Sequence, residues 1–191
     1  TVGPIAMATN NLNPWKTLSG RRVYENEWFS VREDRVIRPD GAEGVYGVGE
    51  LPPSVGVVAM DENSDVWLVG QWRYCLGRFS WEIPTGSCGW DEDPLAAARR
   101  ELEEEAGVRA HTWRSVGSID NSNAATTDQA HLFLATGLEE VQRHPDPVEK
   151  IVCKRVSFAE CVAMVMDGRI TDSTTVAAVL KADRLLRVGH P

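Results

Sequence analysis

The chain has 191 residues, of which 42% are apolar, enough for one packed domain with or without a small appendage. It lacks any run approaching the ~18 apolar residues of a membrane-spanning helix, so no membrane association is expected. A net charge of −8 argues against nucleic-acid binding, which needs a clustered basic footprint.

Residues 1–12 lack the basic start and apolar centre of a secretion signal and read as a flexible leader. Residues 13–52 read as an N-terminal β segment, with strands at Arg22–Tyr24, Phe29–Ile37 and Val45–Leu51. Phe29, Val31 and Ile37 share one face of the second strand, and Pro39-Asp40-Gly41 supplies the turn after it. A second domain is expected over 53–191, beginning with apolar strands at 54–60 and 66–71 and a short one at Ser80–Ile83. A helix follows, with Asp93 as N-cap, Pro94 in its first turn, Leu95, Ala98 and Leu102 as its buried stripe, and Gly107 at its C-terminus. Strands are then expected at 113–118, 131–136 and 151–156, with the polar loop 120–129 between the first two. Ser157-Phe158-Ala159-Glu160 is a capping box that opens a helix to about Met166. A last helix, Thr175–Leu186, offers Val176, Val179, Leu180 and Leu186 for burial. Strands interleaved with helices give an α/β fold in the broad sense, a mixed α+β sheet between helices. Four cysteines without a C-x-x-C pair indicate neither a zinc site nor a disulfide framework, which suits reduced thiols in a cytoplasmic protein.

The densest chemical signal lies between Gly86 and Val108: Gly86, five residues, Glu92, seven residues, Arg100-Glu101-Leu102, one residue, Glu104-Glu105, one residue, Gly107-Val108. On a helix, Glu101, Glu104 and Glu105 crowd one face, where like charges cost about a few tenths of a kcal/mol per pair. Such a run can be a solvated acidic face; in register with Gly86, Arg100 and Gly107 it reads instead as a site for a hard divalent cation. Mg²⁺ (or Mn²⁺) takes a few carboxylate oxygens together with waters and substrate phosphates.

This block resembles the signature of the Nudix hydrolases, Gly-x5-Glu-x7-Arg-Glu-U-x-Glu-Glu-x-Gly-U with U apolar. The resemblance extends over roughly residues 53–186. It implies an α/β/α sandwich, here with an N-terminal β extension, and hydrolysis of a nucleoside diphosphate linked to another group. It also implies Glu101 and Glu105 as metal ligands, Glu104 as a ligand or a partner of metal-bound water, and the carbonyl of Thr85 as a further donor. Arg100 is expected to clamp one of these carboxylates, and Glu92 to orient the loop. The general base is either a cluster glutamate such as Glu104 or one on a later loop. Glu149, ahead of the strand 151–156, occupies the place where relatives that cleave ADP-ribose carry theirs.

Gln71-Trp72-Arg73-Tyr74 and Trp81-Glu82-Ile83-Pro84-Thr85-Gly86 resemble the Q-x-R-Y and W-E-x-P-x-G run of ADP-ribose and nucleoside-diphosphate-sugar pyrophosphatases. Arg73 is then expected on a phosphate or the terminal ribose, and Glu82 at the metal or the sugar. Ser122 to Gln129 resembles a Ser-Asn-x-x-Thr-Asp-Glu loop, with Gln129 in place of the acid. Relatives of this branch form homodimers through the N-terminal β segment, from which Trp28 or Tyr24 can stack on the base. The expected substrate is a small-molecule nucleoside diphosphate sugar, ADP-ribose first, yielding a nucleoside monophosphate and a sugar phosphate. Two alternatives are weighed: a house-cleaning nucleoside triphosphate pyrophosphatase sharing the metal site, and a non-catalytic nucleotide-sensing Nudix module. The second sits poorly with a full set of signature acids.

Overall fold

The computed structural model describes residues 13–144 and 150–189. The chain divides into two compact units between Glu50 and Leu51.

The N-terminal unit is an antiparallel meander of β1 (Lys16–Glu25), β2 (Ser30–Ile37) and β3 (Glu43–Glu50), in that order across the sheet. The turn after β2 forms as expected: Gly41 takes a positive φ of 85°, and the Asp40 carboxylate accepts from the Ala42 N–H at 3.0 Å. The buried residues of β2 lie on the face opposite Phe29, Val31 and Ile37. Ser30, Asp34 and Val36 are buried, whereas Phe29 is exposed and Val31 and Ile37 are half-covered. The reason is ionic. Arg32 donates to Asp34 at 2.9 Å and also pairs with Glu50, which accepts from Ser30 Oγ at 3.0 Å. A satisfied polar face carries no alternation of apolar residues to be read. β1 is also far longer than Arg22–Tyr24, and every one of its residues is exposed, Leu18, Val23 and Tyr24 included.

The second unit carries two sheets. One has the order β7-β4-β9-β8, with β4 (Ser54–Ala59) parallel to β9 (Gln129–Glu140) and its other pairs antiparallel. Here β7 is Thr85–Ser87, a strand not expected from sequence, and β8 is Val108–Asp120. The other sheet is antiparallel, with β5 (Asp65–Arg73) between β10 (Val152–Ser157) and β6 (Arg78–Glu82). β4 alternates between two cores. Val55 and Val57 pack with Ala97, Ala98 and Leu102 of the helical segment after β7. Val58 packs with Leu68, Leu132 and the helices α2 (Phe158–Met166) and α3 (Ser173–Val188). Each fully buried Val or Leu contributes roughly 1.5–3 kcal/mol. Helices on both sides of mixed β structure make this the expected α/β/α arrangement.

Two helices differ in detail from the expectation. α1 runs only from Pro94 to Glu101, and Leu102–Ala106 continues it as a π-helical turn closed by Gly107 at φ 66°. Asp93 caps α1 as expected, accepting from the Ala96 N–H at 3.0 Å. In α3 the buried stripe is Thr174, Thr175, Ala178, Val179 and Ala182, while Leu180 and Leu186 are exposed. Small side chains let this helix lie close to β4, where an added Cβ on Gly56 would meet the Thr174 methyl at 2.7 Å.

Candidate active site

β6 ends at Glu82, and the chain passes through Ile83 and Pro84 into β7, where Thr85 pairs with Gly56 and Gly86 with Val55 of β4. This short pairing sets the signature glycine directly over α1. A Cβ built on Gly86 would lie 2.0 Å from the carboxyl carbon of Glu101, so no other residue fits there without displacing that carboxylate. One turn further, the Thr85 N–H donates to Glu105 Oε2 at 2.8 Å, and Glu105 is buried at 3% exposure.

Arg100 ties the acidic face together. It donates to Glu101 at 2.6 Å, to Glu104 at 3.3 Å, to Glu92 at 3.1 and 3.3 Å, and to the Ser87 carbonyl at 3.0 Å. Burial works against the Arg100 charge, but the hydrogen bond with Glu92 and the charge of Glu101 outweigh it and raise its pKa. Glu92 in turn is held below the ordinary carboxylate range by Arg100 and by the Gly89 N–H at 3.0 Å. The expected clamp therefore engages three carboxylates.

Among the described residues no three acidic, histidine or cysteine side chains converge on one point as a closed metal cage. The donors still suit a hard cation that keeps several waters. They are carboxylates from one helical face, seated against a glycine whose missing Cβ leaves the backbone open to close approach.

Beside this helix lies a cavity of about 680 Å³, within the range of small-molecule sites. Thr85 and Gly86 form one wall; Arg73 and Glu82 form another. Arg73 Nε donates to Glu82 Oε1 at 3.0 Å, and a second contact joins Nη2 to Oε2. The hydrogen bond with Glu82 outweighs burial and raises the Arg73 pKa, with the charges of Glu105 and Asp172 adding to it. Because Glu82 is buried, Arg73→Ala strands its charge. An unfolding free energy lower by about 3 kcal/mol is expected in urea titrations, and an unchanged midpoint would show the pair to be dispensable for stability.

The far wall comes from elements to which the sequence assigns no role in the site. Asp128 accepts from Ser54 Oγ and Asn121 Nδ2, both at 3.2 Å, and Asn121 Oδ1 accepts from Ser173 Oγ at 2.8 Å. Arg78 donates to Thr171 Oγ1 at 2.8 Å. The Ser-Asn-x-x-Thr-Asp pattern is the signal for this loop; neither Arg78 nor the start of the last helix carries a local mark of its place in the cavity wall.

The structure thus brings together Arg73, Glu82 and Thr85 in the cavity wall, with Glu101 and Glu105 against the same short strand. Glu104 stands half-exposed on the Arg100 side. Trp28 belongs to the N-terminal unit, in the β1–β2 connection, with 70% of its surface exposed. Glu149 lies outside the described residues, as do positions 1–12.

An acidic helical face under a glycine strand, beside a cavity lined by arginines, suits a metal ion and an anionic ligand. Residues 50–174 match the NUDIX domain, and residues 15–48 match the nucleoside diphosphate sugar hydrolase N-terminal domain. The chain belongs to the Nudix family. It is 33% identical over 170 residues to an ADP-ribose pyrophosphatase of Mycobacterium tuberculosis, covering 87% of this chain and 82% of that protein. It is 26% identical over 166 residues to an ADP-ribose pyrophosphatase of Bacillus subtilis, covering 86% and 90%. The crystal structure of an ADP compounds hydrolase shares the fold, with a TM-score of 0.82 at 18% identity over 93% of this chain and 97% of that one.

Proposed function

We propose that this protein hydrolyses the pyrophosphate bond of nucleoside diphosphate sugars, with ADP-ribose the leading substrate, using Mg²⁺ or Mn²⁺. The observation that carries the reading is the seating of Glu101 and Glu105 against Gly86 and Thr85, at the wall of a cavity lined by Arg73. The relatives named above supply the choice of ADP-ribose. Water adds across the P–O–P bridge, leaving a nucleoside monophosphate and a sugar phosphate.

Glu101, Glu105 and the Thr85 carbonyl would hold the metal, with Glu104 as a ligand or as partner to its water. A divalent cation there supplies positive charge for the diphosphate oxygens and a more acidic water. Arg100 keeps the glutamates gathered while their mutual repulsion is uncompensated. Arg73 and Glu82 orient the substrate, Arg73 by its planar fork. Glu149 or a cluster glutamate takes the proton from the attacking water. The protein acts in the cytoplasm as a homodimer whose N-terminal unit brings Trp28 to the nucleobase.

A panel of nucleotide sugars and nucleoside triphosphates with Mg²⁺, with products identified, tests the reading. ADP-ribose is expected to give the highest kcat/KM, and repetition in ¹⁸O-labelled water reveals which phosphorus is attacked. Turnover of triphosphates alone, or tight binding without turnover, would replace it with one of the other two readings. Trp28→Ala is expected to raise KM for ADP-ribose about tenfold with little change in kcat, as the loss of one stacked base implies. An unaltered KM would remove Trp28 from the binding site.

A further inference from the structure

The geometry points to the first turn of α3 as the brace of the Thr85–Gly86 strand, with Thr175 as a positioning residue that acts through the backbone of Ile83. This inference rests on the reading of Thr85 and the signature glutamates as metal donors, and it extends that reading to residues outside the signature.

Thr175 is fully buried, yet its hydroxyl has two partners. It donates to Asp172 Oδ2 at 2.7 Å, the same oxygen that caps the helix by accepting the Thr175 N–H at 2.7 Å. With its proton so committed, the hydroxyl oxygen accepts from the Ile83 N–H at 3.1 Å, across 92 residues of sequence. Ile83 is the residue just past the end of β6, whose pairing with β5 stops at Glu82, so no strand neighbour supplies this acceptor. A buried N–H at that point must find a partner. A valine would fill the same space, so packing alone does not call for a hydroxyl.

The two residues after Ile83 are held as well. The Val57 N–H donates to the Pro84 carbonyl at 2.9 Å, and the Thr85 N–H donates to Glu105. Three successive backbone units are therefore fixed by α3, β4 and the signature helix in turn. A second contact comes from packing. Gly56 is the residue that pairs with Thr85, and a Cβ there would stand 2.7 Å from the Thr174 methyl and 3.2 Å from Ile83 Cδ1. α3 thus presses directly on the pair that presents Thr85. Its first turn is in turn tied to the β8–β9 loop through Ser173 and Asn121. A shift in this turn moves the backbone on which the donors depend.

The test compares Thr175→Val, Thr175→Ser and Gly56→Ala with wild type, reading Mn²⁺ affinity without substrate by electron paramagnetic resonance, then kcat and KM for ADP-ribose. Displacements of a fraction of an ångström are costly at such sites, so Thr175→Val is expected to weaken Mn²⁺ binding about fivefold and lower kcat about tenfold, with KM within about twofold. Thr175→Ser, which keeps the hydroxyl, restores both, and Gly56→Ala moves both in the same direction as Thr175→Val. Wild-type Mn²⁺ affinity and kcat in Thr175→Val overturn the brace, even if its melting temperature falls. A serine variant as impaired as the valine variant also overturns it. Should Thr175→Val fail to fold, Gly56→Ala, which removes no hydrogen-bonding group, decides alone, and unchanged affinity and kcat refute the inference. A wild-type protein that neither binds Mn²⁺ nor cleaves ADP-ribose refutes the functional reading and this one together; an active wild type with indifferent variants refutes only the brace.

Discussion

Glu105→Gln lowers kcat for ADP-ribose by roughly 10³-fold, about 4 kcal/mol of transition-state stabilisation, while the folded structure persists. The substitution is chosen because glutamine keeps the shape and can still accept from the Thr85 N–H, as Glu105 Oε2 does at 2.8 Å. Only the charge is lost. A buried carboxylate is costly to retain unless something rewards the charge, and in the proposed function that reward would be a divalent cation. Steady-state kinetics at saturating Mg²⁺, with circular dichroism as the check on folding, measure the effect. A glutamine variant as fast as wild type would remove Glu105 from the metal site and with it the mechanism proposed.

Gly86→Ala produces a loss of similar size by a different route. A methyl at this position overlaps the Glu101 carboxyl group, with 2.0 Å between atoms that cannot approach so closely. Either Glu101 swings away, breaking its 2.6 Å contact with Arg100, or β7 lifts off β4. Overpacking of this kind costs about 1–3 kcal/mol of stability, and misplacing reacting groups by an ångström costs about 10²-fold in rate. Activity is expected to fall by at least about 10²-fold while thermal unfolding moves by only a few degrees. Wild-type activity in this variant would mean that the contact between Gly86 and Glu101 has no part in the site.

The signature was legible because its residues are bound to one another locally. Asp93 as N-cap, Gly107 in the left-handed region and Arg100 among the glutamates all follow from spacing along a helix. The cavity wall was only half legible. Arg73 and Glu82 stand on adjacent strands, and their motif identified both, yet nothing in it told that they bind each other. Thr175 is legible as the start of a helix and no more, since the reach of its hydroxyl to Ile83 is a product of tertiary packing. The buried face of β2 was not legible for another reason: its polar side chains satisfy each other, and alternation of apolar residues is the wrong signal for such a strand.

The wide turn at Leu102–Ala106 has a wider consequence. The carbonyl of Glu105 at its end accepts from Cys153 Sγ at 3.0 Å, a partner supplied by a strand almost fifty residues away. The angle between Glu101 and Glu105 is therefore not a property of the spacing Glu-x-x-x-Glu. The same letters grafted onto a regular α-helical scaffold would project their carboxylates along different directions, and an engineer transplanting this site would have to carry over the backbone irregularity and its distant anchor along with the acids.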